Sequence, residues 1–146
     1  MIPNRKLIKN IDNRGFVMEI WKKEWFVEDA AQALLSSSHA GVIRAWHRHN
    51  RGQDDMLFVM NGAARIVYAT PTGFREVIAR ASEPSLYFIP GNFWHGTMAL
   101  TGTVTIYFVT KLYDKDNPDE ERLPPDHIFP DIGAYNWTKG EEYEGL

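Results

Sequence analysis

From Gly41 onward, apolar and polar residues alternate with a period of two in short β-branched and aromatic runs, separated by turn residues at close spacing. This is the pattern of strands with one face in a core, repeated as in a sandwich or barrel. It predicts strands over 15–21, 42–49, 56–60, 64–70, 75–79, 85–89, 97–100 and 103–110. Asn61-Gly62 falls between two of them and predicts a two-residue type I′ hairpin, since both central positions of that turn want positive φ. Thr70-Pro71-Thr72-Gly73 predicts a second turn. One segment, 27–35, breaks the pattern. Its Ala-Ala-Gln-Ala-Leu-Leu core has good helix formers and stops at Ser36-Ser37-Ser38, which predicts a single short helix.

After Tyr113 the chain becomes charged and proline-bearing, from Asp114 through Asn117-Pro118-Asp119-Glu120-Glu121-Arg122-Leu123-Pro124-Pro125-Asp126. Such a stretch is unsuited to regular strands or a long helix. Ile128, Phe129, Ile132, Tyr135 and Trp137 follow closely. So many large apolar groups are costly to leave in water, so the tail is expected to dock on the barrel. One domain spans 1–146, with a barrel core at about 12–113 and an extension over 114–146.

Composition narrows the partners. The 146 residues are 44% hydrophobic and 24% charged, as in an ordinary globular chain, and no apolar run approaches membrane-spanning length. A formal charge of −3 without a Lys/Arg block argues against nucleic acid, because phosphate backbones need a clustered basic footprint. The absence of cysteine rules out disulfides, thiolate metal sites and a cysteine nucleophile together. With no secretory pattern in residues 1–14, it predicts a cytoplasmic protein acting on a small molecule.

The densest reactive cluster is Arg44-Ala45-Trp46-His47-Arg48-His49, followed by Gln53-Asp54-Asp55. Strict alternation puts Ile43, Ala45, His47 and His49 on one face and Arg44, Trp46 and Arg48 on the other, so a pocket shared by Arg44 and His47 needs a bulge or a strand end there. His95 follows the turn Pro90-Gly91-Asn92-Phe93-Trp94. Three histidines able to converge in a small barrel point to a site.

Gly41, His47-x-His49, a nearby acid and Gly62, then Pro90 and His95, resemble the two cupin motifs. The resemblance implies an all-β cupin jelly-roll barrel. In metal-binding cupins these positions hold a metal, and His47, His49, His95 and Asp55 would be a workable set for Zn, Fe, Mn or Ni. A narrower resemblance runs from Asp12 to Trp137. Asp12-Asn13-Arg14-Gly15-Phe16, Glu19, Val42-Ile43-Arg44-Ala45-Trp46-His47, Ile89-Pro90, His95-Gly96, Tyr107, Tyr113 and Asn136-Trp137 are similar, in order, to motifs of the dTDP-4-dehydrorhamnose 3,5-epimerase family. Residues 117–124 resemble the post-barrel segment of its shorter relatives. The nucleotide-sugar ketoisomerases share the opening Asp-x-Arg-Gly and the His-x-His.

By that resemblance His47 is the base that removes a proton beside the 4-keto group, and Tyr107 is the acid that returns one from the opposite face, without a cofactor. Arg14, Glu19, Arg44, His49, His95 and Tyr113 would line the pocket for a nucleotide-diphosphate sugar, with the arginines suited to diphosphate or oxyanion. A homodimer is implied too, with strand 15–21 presenting Phe16, Met18 and Ile20 to a partner sheet. There are departures. Asp55 stands where the family has a lysine, His49 where it usually has an amide, and the aspartate that orients the family's histidine has no evident counterpart, with Glu141, Glu142 and Glu144 in no fixed register. The alternatives are a metal-dependent cupin enzyme, or a sugar- or effector-binding module in which the same histidines only bind.

Overall fold

The computed structural model of the protein describes residues 2–138. Two five-stranded antiparallel sheets face each other. The first has the order β1 (Asn4–Lys6), β9 (Ser85–Ile89), β6 (Asp55–Asn61), β11 (Thr103–Val109), β4 (Gln32–Ser38). The second has the order β12 (Glu121–Arg122), β5 (Ile43–Arg48), β10 (His95–Ala99), β7 (Ala63–Thr70), β8 (Gly73–Arg80). A separate hairpin pairs β2 (Lys9–Asp12) with β3 (Gly15–Met18). This is the cupin jelly roll, and among the described residues no helix is long and apolar enough to cross a membrane.

Three apolar layers hold it. Between the sheets lie Ile2, Leu57, Val59, Ile66, Tyr87 and Ile89. Outside the first sheet, Met56, Phe58 and Leu86 are covered by Leu7, Met18, Ile20, Trp21, Trp25 and Phe26 of the N-terminal segment. Outside the second, Trp46, Val67 and Ala69 are covered by Phe129, Ile132, Tyr135 and Trp137 of the tail. Burial on both faces explains why β6 and β7 read as near-continuous apolar runs rather than clean alternations.

The tail docks as its aromatic content predicts, with Ile128 as the exception, 74% exposed. Trp137 donates its indole N–H to Pro125 O at 3.0 Å, and Tyr135 donates its hydroxyl to Glu76. Glu141, Glu142 and Glu144 lie outside the described residues.

Three expectations are corrected. Residues 27–35 form no helix. Gln32–Ser38 is strand β4, matched residue for residue to β11 from Gln32↔Val109 to Ser38↔Thr103, so seven ladder positions override a weak helical propensity. Among the described residues the one helical element is a 3-10 turn at Lys23–Trp25. Asn61-Gly62 is not a type I′ hairpin. Only Gly62 has positive φ, and β6 and β7 belong to different sheets, so the chain crosses between layers there. The third correction concerns β5. Its register on β10 runs His95↔His47 and then Gly96↔Ala45, which leaves Trp46 as an extra residue. Alternation is therefore reset within the strand. Ile43, Ala45 and Trp46 join the tail-covered layer, while Arg44 and His47 turn the other way. Gly96 permits this approach, since a Cβ there would lie 2.4 Å from Ala45 Cβ and 2.9 Å from Arg44 O.

Trp137 is 5% exposed and seals the outer face of the second sheet. Trp137→Ala is expected to cost about 3–5 kcal/mol in urea denaturation, whereas Ile128→Ala stays within about 0.5 kcal/mol.

Candidate active site

β5 brings His47 into the barrel, and the residue just beyond its end, His49, is fixed by a backbone bond from its N–H to Gly91 O at 2.7 Å. The turn from Pro90 closes through Phe93 N–H to Pro90 O and leads into β10, whose first residue is His95. Asp55 opens β6 next to these strands. Gly91 has to be glycine here, because a Cβ would fall 1.7 Å from Gln53 O and 3.2 Å from the His49 ring.

Asp55 is the hub. Its Oδ2 lies 3.5 Å from His49 Nε2 and 3.4 Å from His95 Nε2, and its Oδ1 accepts from Gln53 Nε2 at 2.9 Å. Burial pushes the Asp55 carboxyl up, but His49, His95 and Gln53 outweigh it and hold the group well below the usual carboxylate range. His49 responds in the opposite sense. Burial opposes its protonation, and contacts with Asp55 and the Asp119 carbonyl overcome that and raise its pKa. The Nδ1–H of His49 donates to Asp119 O at 2.5 Å, and that of His95 to Phe93 O at 2.8 Å.

His47 sits differently. Its Nδ1 meets Glu120 Oε1 at 3.2 Å, and because the carboxylate only accepts, the proton belongs on Nδ1 and the Nε2 lone pair is free. Burial, then the neighbouring His95, push its pKa down to about 4, against the pull of Glu120. Its imidazole is a neutral base at physiological pH. Glu120 is held by Arg122 at 2.9 Å and by the pairing of β12 with β5, Arg122 opposite His47 and Glu121 opposite Arg48. Asp119 fastens the same segment, accepting from the N–H groups of Asn50 and Arg51.

Tyr107, on β11, has its hydroxyl in hydrogen-bonding reach of Ser36 and Thr97, with Asp55 and Arg44 near enough to affect its ionisation. Burial raises its pKa, so it keeps its proton. Arg44 lies on this side through Nε to Ser38 Oγ at 2.9 Å. A cavity of about 530 Å³ runs beside His47, lined by Arg44, Trp46 and Arg122 to Pro125. Another of about 510 Å³, against Trp25, Phe26 and Phe88, contains none of the histidines.

The structure thus brings together His47, His49, Asp55, His95, Tyr107 and Arg44. It does not bring Arg14, Glu19 or Tyr113 to them within one chain. Arg14 closes the β2–β3 turn on Asp12 with its side chain 85% exposed, Glu19 pairs with Lys22 at 2.8 Å, and Tyr113 is exposed beyond β11. Glu120 and Asp119 are the residues that sequence reasoning missed. Glu120 meets His47, Glu121 meets Arg48 and the main-chain carbonyl of Asp119 meets His49, each pair 70 or more positions apart, so no local signal in the sequence pointed to them.

Comparison with known proteins identifies the family. Residues 5–127 match the family model described as dTDP-4-dehydrorhamnose 3,5-epimerase. The spore coat polysaccharide biosynthesis protein SpsL of Bacillus subtilis is 37% identical over 92% of this chain and 93% of its own. The probable low-salt glycan biosynthesis epimerase Agl13 of Haloferax volcanii is 32% identical over 84% of this chain and 85% of its own. The crystal structure of dTDP-4-dehydrorhamnose 3,5-epimerase from Sulfolobus tokodaii superposes with a TM-score of 0.73 at 27% identity, covering 82% of this chain and 75% of that one. By that family match, by these relatives and by the shared jelly roll, the chain belongs to the dTDP-4-dehydrorhamnose 3,5-epimerase family of nucleotide-sugar epimerases and isomerases.

Proposed function

We propose that the protein epimerises or isomerises a nucleotide-linked 4-keto sugar, with His47 as base and Tyr107 as acid. The observation that carries this is the His47–Glu120 pair in a barrel interior shared with a protonated Tyr107. His47 Nε2 takes the hydrogen α to the ketone, the C–H electrons pass to the keto oxygen as an enolate, and Tyr107 returns a proton to the carbon. Atoms and electrons balance without an oxidant, so the proton transfers themselves call for no redox cofactor. Glu120 keeps the His47 proton on Nδ1 and steadies the imidazolium that forms, the part the family gives to an aspartate. Asp55 cannot stabilise an enolate. Among the residues near Tyr107, Arg44 carries the charge suited to an oxyanion or a diphosphate. Cysteine-free composition accords with a cytoplasmic setting.

The homodimer is part of the same proposal. Ile11, Phe16 and Val17 on the β2–β3 hairpin are exposed, and β4 is an open sheet edge with Leu34 and Leu35 exposed. A second copy would cover this surface, and would be what brings Arg14 and Glu19 to a pocket. Met18 and Ile20 are not available for it, since they pack on their own sheet. Sedimentation at micromolar concentration is expected to show a dimer, and the double change Phe16→Asp with Val17→Asp a folded monomer. A monomeric wild type would end this part of the proposal.

The catalytic roles separate in deuterated buffer, with proton NMR of a 4-keto nucleotide sugar. His47→Asn is expected to lose both turnover and α-hydrogen exchange by about 10²–10⁴-fold, because no enolate forms without the base. Tyr107→Phe keeps the ring but removes the donor, so deuterium should enter from the His47 side without inversion. Undiminished inversion by Tyr107→Phe would remove Tyr107 from the mechanism. No exchange by the wild type across several nucleotide sugars would remove the epimerase reading.

A further inference from the structure

We propose that Ser36 is the proton relay of Tyr107, a positioning residue that recharges the acid between turnovers. Its catalytic consequence rests on the epimerase reading. β4 pairs with β11 through Leu34↔Tyr107 and Ser36↔Thr105, so Ser36 and Tyr107 are diagonal neighbours on one face. Diagonal Cβ atoms in an antiparallel pair lie about 7–8 Å apart, a span that an aromatic side chain covers. The Tyr107 hydroxyl has that of Ser36 within hydrogen-bonding reach, and from the opposite sheet that of Thr97. Tyr107 packs against the core between the sheets, so this is the inner face of β4.

Serine at such a position needs a reason. It is no strand former and fills little core volume, yet Ser36 and Ser38 both stand on that face of β4. Ser38 accepts from Arg44 Nε at 2.9 Å, and Ser36 has Tyr107. The two hydroxyls beside Tyr107 differ in their way out. Thr97 is on β10, flanked by β5 and β7, whereas Ser36 is half-buried on β4, an open sheet edge. Solvent protons therefore reach Tyr107 through Ser36 rather than through Thr97.

The chemistry calls for such a path. Each inversion leaves His47 holding the proton it removed and Tyr107 as a phenolate, and both must be reset before the next substrate. A bound sugar covers the acid, because the acid faces the carbon it protonates. A serine hydroxyl both donates and accepts. Ser36 gives its O–H proton to the phenolate oxygen while a water gives one to Ser36 Oγ, so no free alkoxide forms. The hydroxide that remains takes up the proton that His47 releases, and water is the only co-reactant.

Exchange of the Tyr107 hydroxyl proton with solvent tests the path without substrate, by NMR of full-length protein labelled with ¹³Cζ-tyrosine in mixed H₂O and D₂O. Ser36→Ala is expected to slow exchange about tenfold or more, with Ser36→Thr and Thr97→Val within about threefold of wild type. Should the alanine variant fail to fold, Ser36→Val removes the hydroxyl and restores strand propensity. With a nucleotide sugar that the wild type turns over, Ser36→Ala should lower kcat about tenfold while the first turnover, timed by rapid quench, slows less than about threefold. A general structural defect would slow both alike. Exchange indifferent to Ser36→Ala, or slowed more by Thr97→Val, would overturn the proposal, as would first and later turnovers falling together. Slowed exchange in a protein that turns over no nucleotide sugar would support the path and end the epimerase reading instead.

Discussion

The site depends on one inserted residue. Trp46 is an extra position in β5, fully buried, and its backbone exchanges hydrogen bonds with Leu123, Trp46 N–H to Leu123 O at 2.9 Å and Leu123 N–H to Trp46 O at 3.1 Å. Its indole donates to Pro125 O at 3.2 Å. Because the insertion resets the alternation, Arg44 and His47 turn to the same side of the strand instead of opposing faces, with Arg44 exposed and donating to Ser38. Because the insertion also places Trp46 under the tail, it ties the segment carrying Glu120 to the strand carrying His47.

Folding stability and chemistry are therefore coupled through the tail. The rings of Phe129 and Trp137 lie 5.2 and 5.1 Å from that of Trp46, and aromatic contacts of this kind contribute beyond the area they bury. With that cluster formed, Asp119 O reaches His49, Glu120 reaches His47 and Glu121 reaches Arg48 at 2.8 Å. The tail thus supplies partners to both strand histidines while it covers the apolar outer face of the second sheet. Its charged half and its aromatic half do different jobs. The aromatic half holds the segment down, and the charged half sets proton positions on the imidazoles.

Much of this was legible in the pattern of side chains. Short β-branched and aromatic runs bounded by turn residues found β7, β8, β9 and β11 to within two residues, and β9 at both ends. They missed β4, where Ala33, Leu34 and Leu35 look helical and only pairing with β11 makes them a strand. Alternation alone put Arg44 on the wrong face; a shared pocket called for a bulge or a strand end, but a bulge changes register without changing composition, so its place at Trp46 was not legible. The three histidines were found by convergence of motifs, and Asp55 by its place after them. Glu120 was hidden because its partner lies 73 positions away and nothing local distinguishes it from its charged neighbours. Arg14 and Glu19 were legible as motif residues, but spacing along a chain does not tell whether a hairpin folds onto its own barrel.

The account turns on the tail fixing the state of the base, and long-range proton–nitrogen correlation of the histidine rings reads that state directly. In wild-type protein His47 should carry its proton on Nδ1 with Nε2 bare, and in Glu120→Ala the His47 ring alone should shift toward the other tautomer while His49 and His95 keep theirs. An Nε2-protonated His47 in the wild type, or a His47 spectrum indifferent to the loss of Glu120, would contradict it.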